Sequence, residues 1–163
     1  MNNISEQAFK SAVNEIETML DAKVLELILR GWSYYLTEDA PETWDALMKY
    51  KASKRLPIAS HSSDSAIYSS ADYNYKFRFW HDVTHLELNA DFSYEGEILT
   101  AEKHLKEGQE WGLSELAIDI LKADSVGQVE YYHHHDGLFV DNQEAFVQSC
   151  LRLGIRKAIA YKH

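Results

Sequence analysis

The chain is poor in cysteine, proline and glycine. Its 163 residues include one cysteine, two prolines and seven glycines. A single cysteine, Cys150, cannot form an intramolecular disulfide, which is typical of a protein in a reducing compartment. The scarcity of glycine and proline excludes collagen-like chains and disfavours all-β folds with many tight turns. A chain of this length can bury a core without disulfides or metals, so we expect one domain over residues 1–163.

Basic residues and long apolar runs are also scarce. Sixteen lysines and arginines stand against 26 acidic residues, which gives a net charge of -10. Because an acidic surface repels phosphate backbones, we expect no broad nucleic-acid binding. No apolar run reaches the roughly 18 residues of a membrane helix, and the first ten residues lack the pattern of a secretory signal. The sequence therefore predicts a cytoplasmic protein without membrane contact.

Apolar residues recur at three- and four-residue spacing along most of the chain, which predicts helices. The predicted helices cover residues 5–36, a short segment after Asp39 with Pro41 in its first turn, residues 76–91, residues 93–106 with Gly108 as the stop, residues 113–135, and a last segment capped by Asp141. The serine-rich segment 53–75 is predicted to be a long loop. No convincing two-residue alternation is present. The expected fold is all-α, a single compact domain of about six helices.

A His-Asp doublet lies in the predicted helix 76–91. His81 and His85 are four residues apart and share a helix face, while Asp82 lies about 100° further round the helix. Two imidazoles and a carboxylate are a suitable ligand set for a divalent transition metal. The same three residues would also fit the exposed polar face of an amphipathic helix.

Other polar residues are candidates for burial or for metal binding. Asp124 interrupts an apolar run between Leu116 and Val129, where a carboxylate is costly to bury unless it is paired or binds a metal. On the other interpretation, Asp124 marks the solvent side of that helix. Glu97 is a second inward candidate, and His61 is an isolated imidazole in the serine-rich segment. Successive helical residues point about 100° apart, so we expect one member of a histidine run to face inward: His133, His134 or His135.

The order of these residues resembles that of a known family. His61, the doublet His81-Asp82, and Asp124 follow the H…HD…D order of the HD-domain metal-dependent phosphohydrolases. In that family the lone histidine, the doublet and the distant aspartate come from separate helices and bind one divalent metal. The resemblance implies an HD-domain-like fold. It also implies that these four residues are ligands of a divalent ion such as Mn, Co, Zn, Fe or Mg.

One branch of that family offers a closer comparison. The run from His81 through His85 and Phe92 to Glu97 is similar to the HDxGH…F…GE pattern of the deoxynucleoside triphosphate triphosphohydrolases, with Thr84 in place of the glycine. The histidine that matches His85 acts near the substrate phosphate in that branch. The resemblance therefore implies catalytic roles for His85 and Glu97 and a small nucleotide as the substrate.

Two alternatives remain open. A ferritin-like dinuclear-metal protein needs a Glu-x-x-His pattern on two helices, and Glu130 with His133 provides one good match. A non-enzymatic interaction or inhibitor protein of phage type would suit the acidic charge and need no metal. The segments around His81 and residues 124–128 are similar to uncharacterised bacteriophage proteins, which implies a host-cytoplasm setting. Metal content would separate these alternatives from the phosphohydrolase.

Overall fold

The structure is a computed structural model that describes residues 4–61 and 66–161. The elements in chain order are α1 (Glu6–Leu29), β1 (Ser33–Thr37), α2 (Trp44–Met48), β2 (Arg55–Ala59), α3 (Ala71–Leu88), α4 (Tyr94–Trp111), α5 (Glu115–Lys122), a π-helical turn (Ala123–Gly127), α6 (Gln128–His134), α7 (Gln143–Leu153) and α8 (Ile155–Ala158). The described part of the chain is mostly helical with one very small sheet, so the predicted all-α class is confirmed.

α1 is shorter than the sequence predicted. It begins after Ser5, whose hydroxyl accepts a hydrogen bond from the N–H of Ala8 at 3.1 Å. It stops before Gly31, whose φ of +89° is the left-handed conformation in which glycine commonly ends a helix. Residues 33–37 form β1 instead, so the helix predicted over residues 5–36 is too long.

A short parallel sheet was missed by the sequence analysis. β1 pairs with β2 in parallel, with Ser33 opposite Arg55. The chain crosses between the strands through α2, whose N-cap is Thr43. Pro41 therefore precedes this helix and is not in its first turn. The segment predicted as a loop contains β2. This strand was not predicted because Leu56, Pro57 and Ile58 form a short buried run without the two-residue alternation that signals a half-exposed strand.

α3 and α4 form the helical pair that carries the candidate site. α3 starts five residues earlier than predicted and ends at Asn89, which has a left-handed φ of 53°. α4 begins after Ser93, as predicted, and the hydroxyl of Ser93 accepts from the N–H of Gly96 at 3.2 Å. α4 runs on to Gly112, which has a φ of +92°. The predicted stop, Gly108, is a buried residue inside the helix.

The region predicted as one helix over residues 113–135 is divided by a wider turn. α5 is capped by Ser114, the π-helical turn follows without a break, and α6 ends at His134. The N-cap of α7 is Asn142, which accepts from the N–H of Ala145 at 2.9 Å, and not Asp141 as predicted. The division places the buried Asp124 in the π-helical turn.

The core lies where α1 packs on α3 and α5 and where α7 packs on the π-helical turn. Its largest fully buried side chains include Ile16, Phe79, Leu86, Ile120 and Phe146. A second face of α3 packs on α4, and the candidate site lies between these two helices. Within the described residues, no helix is both long enough and apolar enough to span a membrane.

Candidate metal centre

Three side-chain donor atoms converge between α3 and α4. The Nε2 of His81 lies 3.0 Å from the Nε2 of His85, and both nitrogens lie 3.3 Å from the Oε2 of Glu97. The side chain of His85 is fully buried, whereas those of His81 and Glu97 are 25% and 26% exposed. The cluster therefore has a closed inner side and an outer side that solvent reaches.

The spacing and chemistry of these donors fit a metal ion. Donor atoms bound to one ion at ~2.1 Å are roughly 3.0 to 3.4 Å apart in octahedral or tetrahedral geometry. The three separations in the cluster fall in this range. Two imidazoles and one carboxylate are ligands used for zinc, iron and other divalent transition metals. His81, His85 and Glu97 could therefore hold a metal ion.

The tautomer of His85 follows from its backbone contact. Its Nδ1 is 2.9 Å from the carbonyl oxygen of Ala90. Because a carbonyl oxygen only accepts, Nδ1 carries the hydrogen and the lone pair of a neutral ring is on Nε2, facing the cluster. The contact exists because Asn89 turns the chain back at the end of α3, and the N–H of Ala90 returns to the carbonyl of His85 at 3.0 Å. A second ring nitrogen held in this way is typical of metal-binding histidines.

The α3–α4 connection holds Glu97 in place. The side chain of Asp91 accepts from the backbone N–H and the hydroxyl of Ser93, at 3.1 and 2.5 Å. The backbone of Asp91 also packs directly on Gly96, where a Cβ atom would overlap the carbonyl oxygen of Asp91. Glycine at this position allows the connection to close on the first turn of α4. Glu97 follows at once and faces α3.

A third histidine contacts a member of the cluster. His104 of α4 is fully buried, and its Nε2 lies 3.2 Å from the Nδ1 of His81. Burial, together with the positive charge that His81 and His85 carry when protonated, holds the pKa of His104 well below its usual value. Among the described residues, its Nδ1 has no hydrogen-bond partner, and the same is true of the buried hydroxyl of Thr100 one turn earlier.

The charges of His81 and Glu97 depend on each other. Burial acts to lower the pKa of His81, but its contact with Glu97 and the charges of Asp82 and Asp124 together outweigh burial and raise the pKa. Burial acts to raise the pKa of Glu97, and its contacts with His81 and His85 reverse this and hold the pKa far below the usual range. Glu97 is therefore a carboxylate at neutral pH, as a metal ligand must be.

Two further carboxyl groups flank the cluster. Burial raises the pKa of Asp82 to about 6, although the positive charges of His81, His85 and Arg78 act to lower it. Burial likewise raises the pKa of Asp124 to about 6, against the effect of its hydrogen bonds and of the charge of His81. Both groups would keep their negative charge more readily beside a cation.

Asp124 is buried, so the inward interpretation of the sequence pattern is confirmed. Its Oδ1 accepts from the Nε2 of Gln128 at 2.8 Å, and its Oδ2 accepts from the hydroxyl of Tyr68 at 3.4 Å. The residue lies in the π-helical turn, a feature that is frequent at functional sites. The turn brings a carboxylate from a third helical segment close enough for its charge to act on His81.

The remaining histidine candidates are not among the three converging donors. His61 is exposed, and its carbonyl oxygen accepts from the guanidinium of Arg78 at 2.7 Å. His133 and His134 are exposed, whereas His135 is half-buried and its Nε2 donates to the carbonyl of Ile159 at 2.7 Å. One histidine of the run therefore turns inward, as expected. None of these four residues belongs to the three-donor group found among the described residues.

His104 is the member of the site that the sequence analysis missed. A usable signal was present, because His104 shares a helical face with two other buried residues of α4, Ala101 and Gly108. A histidine at a buried position of an amphipathic helix is a candidate for a polar interaction within the protein.

The chain was also compared with known proteins. No family model matches the sequence, and neither a curated protein nor a solved structure matches it. The residues of the site are therefore the basis for a functional assignment.

Proposed function

We propose that this protein is a metal-dependent phosphohydrolase that acts on a nucleotide or another small phosphoester. The observation that carries the proposal is the convergence of His81, His85 and Glu97 beside the carboxyl group of Asp82. The resemblance to the HD-domain phosphohydrolases adds support through the order of His81, Asp82 and Asp124, although of the four family ligands only His81 belongs to the three converging donors. The doublet His81-Asp82 lies on α3. Asp124 comes from a separate helical segment, and its charge acts on His81.

The structure favours a ligand role for His85 over the catalytic role that the family resemblance implies. His85 is fully buried and both of its ring nitrogens have partners, so it has no free edge for substrate. A divalent cation held by His81, His85 and Glu97 would polarise a phosphoryl oxygen and lower the pKa of a coordinated water. The partly exposed side of the cluster, at His81 and Glu97, is where substrate would approach.

Asp82 is the residue best suited to accept the proton of the attacking water. A general base must lie close to the proton it accepts, and Asp82 directly follows the proposed ligand His81 on α3. The group is partly exposed, so water reaches it. The charges of all three proposed ligands act on Asp82, which is not itself one of the three converging donors.

Arg78 is the cation best placed to attract a phosphate. It lies one turn before Asp82 on α3 and its charge acts on that residue. Its guanidinium also donates to the carbonyl oxygen of Ala59 at 2.7 Å, which fixes its position. Lys76, two residues earlier on α3, is held by Asp21 and Asp72. A net charge of -10 suits a small substrate better than a nucleic-acid polymer.

Hydrolysis of an amide bond is a second candidate. Two histidines four residues apart on a helix, with a carboxyl residue directly after the first and a glutamate on the next helix, have the composition of a His₂Glu zinc site with an adjacent general base. Peptidases use such sites. The proton-accepting role of Asp82 is the same in either reaction, so substrate assays decide between them.

The test is turnover of a nucleotide panel by the wild-type chain and two matched variants. Release of phosphate, pyrophosphate or triphosphate is measured with Mn²⁺, Co²⁺, Zn²⁺ or Mg²⁺, and again with a chelator, alongside a peptide library. We expect Asp82→Asn to bind metal but lose at least ~100-fold in kcat, the usual scale for a general base. Asp72→Asn, the same change on an exposed residue of α3, should keep wild-type activity. Cleavage of peptides but of no phosphoester by the metal-loaded chain would replace the proposal with the second candidate.

A further inference from the structure

His104 is a buried polar residue that the proposed chemistry does not use. Its ring is fully buried against Trp80 and Phe77 of α3, at centroid distances of 3.9 and 5.7 Å. Its Nδ1 has no hydrogen-bond partner in the described part of the chain. A buried polar atom without a partner lowers stability. An apolar side chain would avoid this cost, so the imidazole needs a reason that packing does not supply.

The reason lies in its contact with His81. A neutral imidazole has one N–H and one lone pair. For His81 to bind a cation through Nε2, its hydrogen must be on Nδ1, and that atom lies 3.2 Å from the Nε2 of His104. His104 must then accept at Nε2 and carry its own hydrogen on Nδ1.

The opposite arrangement is favoured when no cation is bound. The Nε2–H of His104 then donates to the Nδ1 of His81, and the Nε2–H of His81 faces Glu97 and the lone pair of His85. Each of these contacts joins a donor to an acceptor. Between neutral rings, both arrangements keep one hydrogen on each ring, so this exchange requires no net gain or loss of protons.

We propose that His104 is a positioning residue, whose Nε2 accepts the Nδ1–H of His81 and so directs the Nε2 lone pair of His81 to a cation shared with His85 and Glu97. The inference rests on the proposed cation site. A partner of this kind fixes the tautomer and the ring orientation of a ligand, and its loss typically weakens metal binding by roughly 10- to 100-fold.

Two substitutions separate this role from packing. His104→Leu keeps a similar volume and removes the acceptor, whereas His104→Gln keeps an amide oxygen that can accept. Zinc affinity is measured by competition with a chromophoric chelator. We expect roughly 10- to 100-fold weaker binding for the leucine variant and binding within a few-fold of wild type for the glutamine variant.

A control variant tests for a general loss of structure. The hydroxyl of Thr84 is buried on α3 and donates to the carbonyl of Trp80 at 2.7 Å, and Thr84 is not one of the three donors. Thr84→Val should therefore lower stability without changing zinc affinity.

The tautomers give a second readout, which stands even if the leucine variant does not fold. Nitrogen NMR of labelled histidines in the wild-type chain, at a pH where both rings are neutral, should show the hydrogen on Nδ1 of both His81 and His104 with zinc, and on Nε2 of both without it. Equal zinc affinity of His104→Leu and wild type, or a hydrogen on Nε2 of His104 in the zinc-loaded chain, would overturn the positioning role alone. A wild-type chain that binds no divalent metal would overturn the proposed cation site together with it.

Discussion

His81 and His85 present the same ring atom, Nε2, to each other at 3.0 Å across one turn of α3. Because the Nδ1 of His85 donates to the carbonyl oxygen of Ala90, the Nε2 of a neutral His85 ring carries a lone pair and no hydrogen. Either a hydrogen of His81 or a cation must then lie between the two nitrogens. Glu97, at 3.3 Å from both, adds a negative charge to the same point. The pair therefore defines a position where positive charge is stabilised.

The first prediction concerns the role of His85. His85→Gln removes one of the three donors, and we expect the affinity for Zn²⁺ or Mn²⁺ to fall by at least about tenfold. Isothermal titration calorimetry measures this, with His134→Gln as the control because His134 is exposed and outside the cluster. Unchanged affinity combined with lost turnover would return His85 to the catalytic role implied by the family resemblance.

The second prediction concerns the pH dependence of stability. The pKa of Asp124 is raised from 3.8 to about 6 in the folded chain, mainly by burial. The folded state therefore binds more protons than the unfolded state between about pH 4 and pH 6, and its stability falls as the pH rises through this window. Asp124→Asn cannot lose a proton there. In the presence of a chelator, we expect this variant to gain stability relative to wild type between about pH 4 and pH 7.

Chemical denaturation at several pH values measures that change. The matched control is Asp119→Asn, which alters an exposed residue of α5 and should follow the wild-type pH dependence. A constant difference in unfolding free energy between Asp124→Asn and wild type over this range would show that the buried carboxyl does not titrate as described.

The third prediction concerns the α3–α4 connection. Gly96→Ala adds a Cβ that overlaps the carbonyl oxygen of Asp91, so the connection has to move. We expect a loss of stability of roughly 1 to 3 kcal/mol, the usual cost of overpacking, and weaker metal binding because Glu97 is displaced. Thermal unfolding and metal titration test both effects. Glu95→Ala, at the exposed preceding position, should show neither.

Much of the fold could be predicted because local signals agree with the final structure. Ser93 predicted the start of α4, and its hydroxyl caps that helix. Gly31 was available as a stop signal for α1, but the apolar pattern continues beyond it through the residues of β1. The pairing of β1 with β2 joins residues about 20 positions apart, and no local sequence pattern predicts such a contact.

The candidate site was predictable in composition but not in arrangement. The spacing of His81 and His85 on a helix was enough to place both on one face. That Glu97 meets them depends on the tight connection at Gly96, which only the structure reveals. His61 shows the limit of a motif order, since its position in the sequence fits the family pattern while the structure leaves it exposed and outside the three-donor group.

The metal content of the chain, purified without added metal or chelator, tests the central claim most directly. Inductively coupled plasma mass spectrometry is applied to the wild-type chain and to Glu97→Gln side by side. With His81, His85 and Glu97 as the ligands of one site, we expect about one divalent ion per wild-type chain and a large loss in the variant. Two ions per chain would favour the dinuclear alternative. Metal-free wild-type protein that also fails to take up added Zn²⁺ or Mn²⁺, or equal metal content in Glu97→Gln, would contradict the proposed centre.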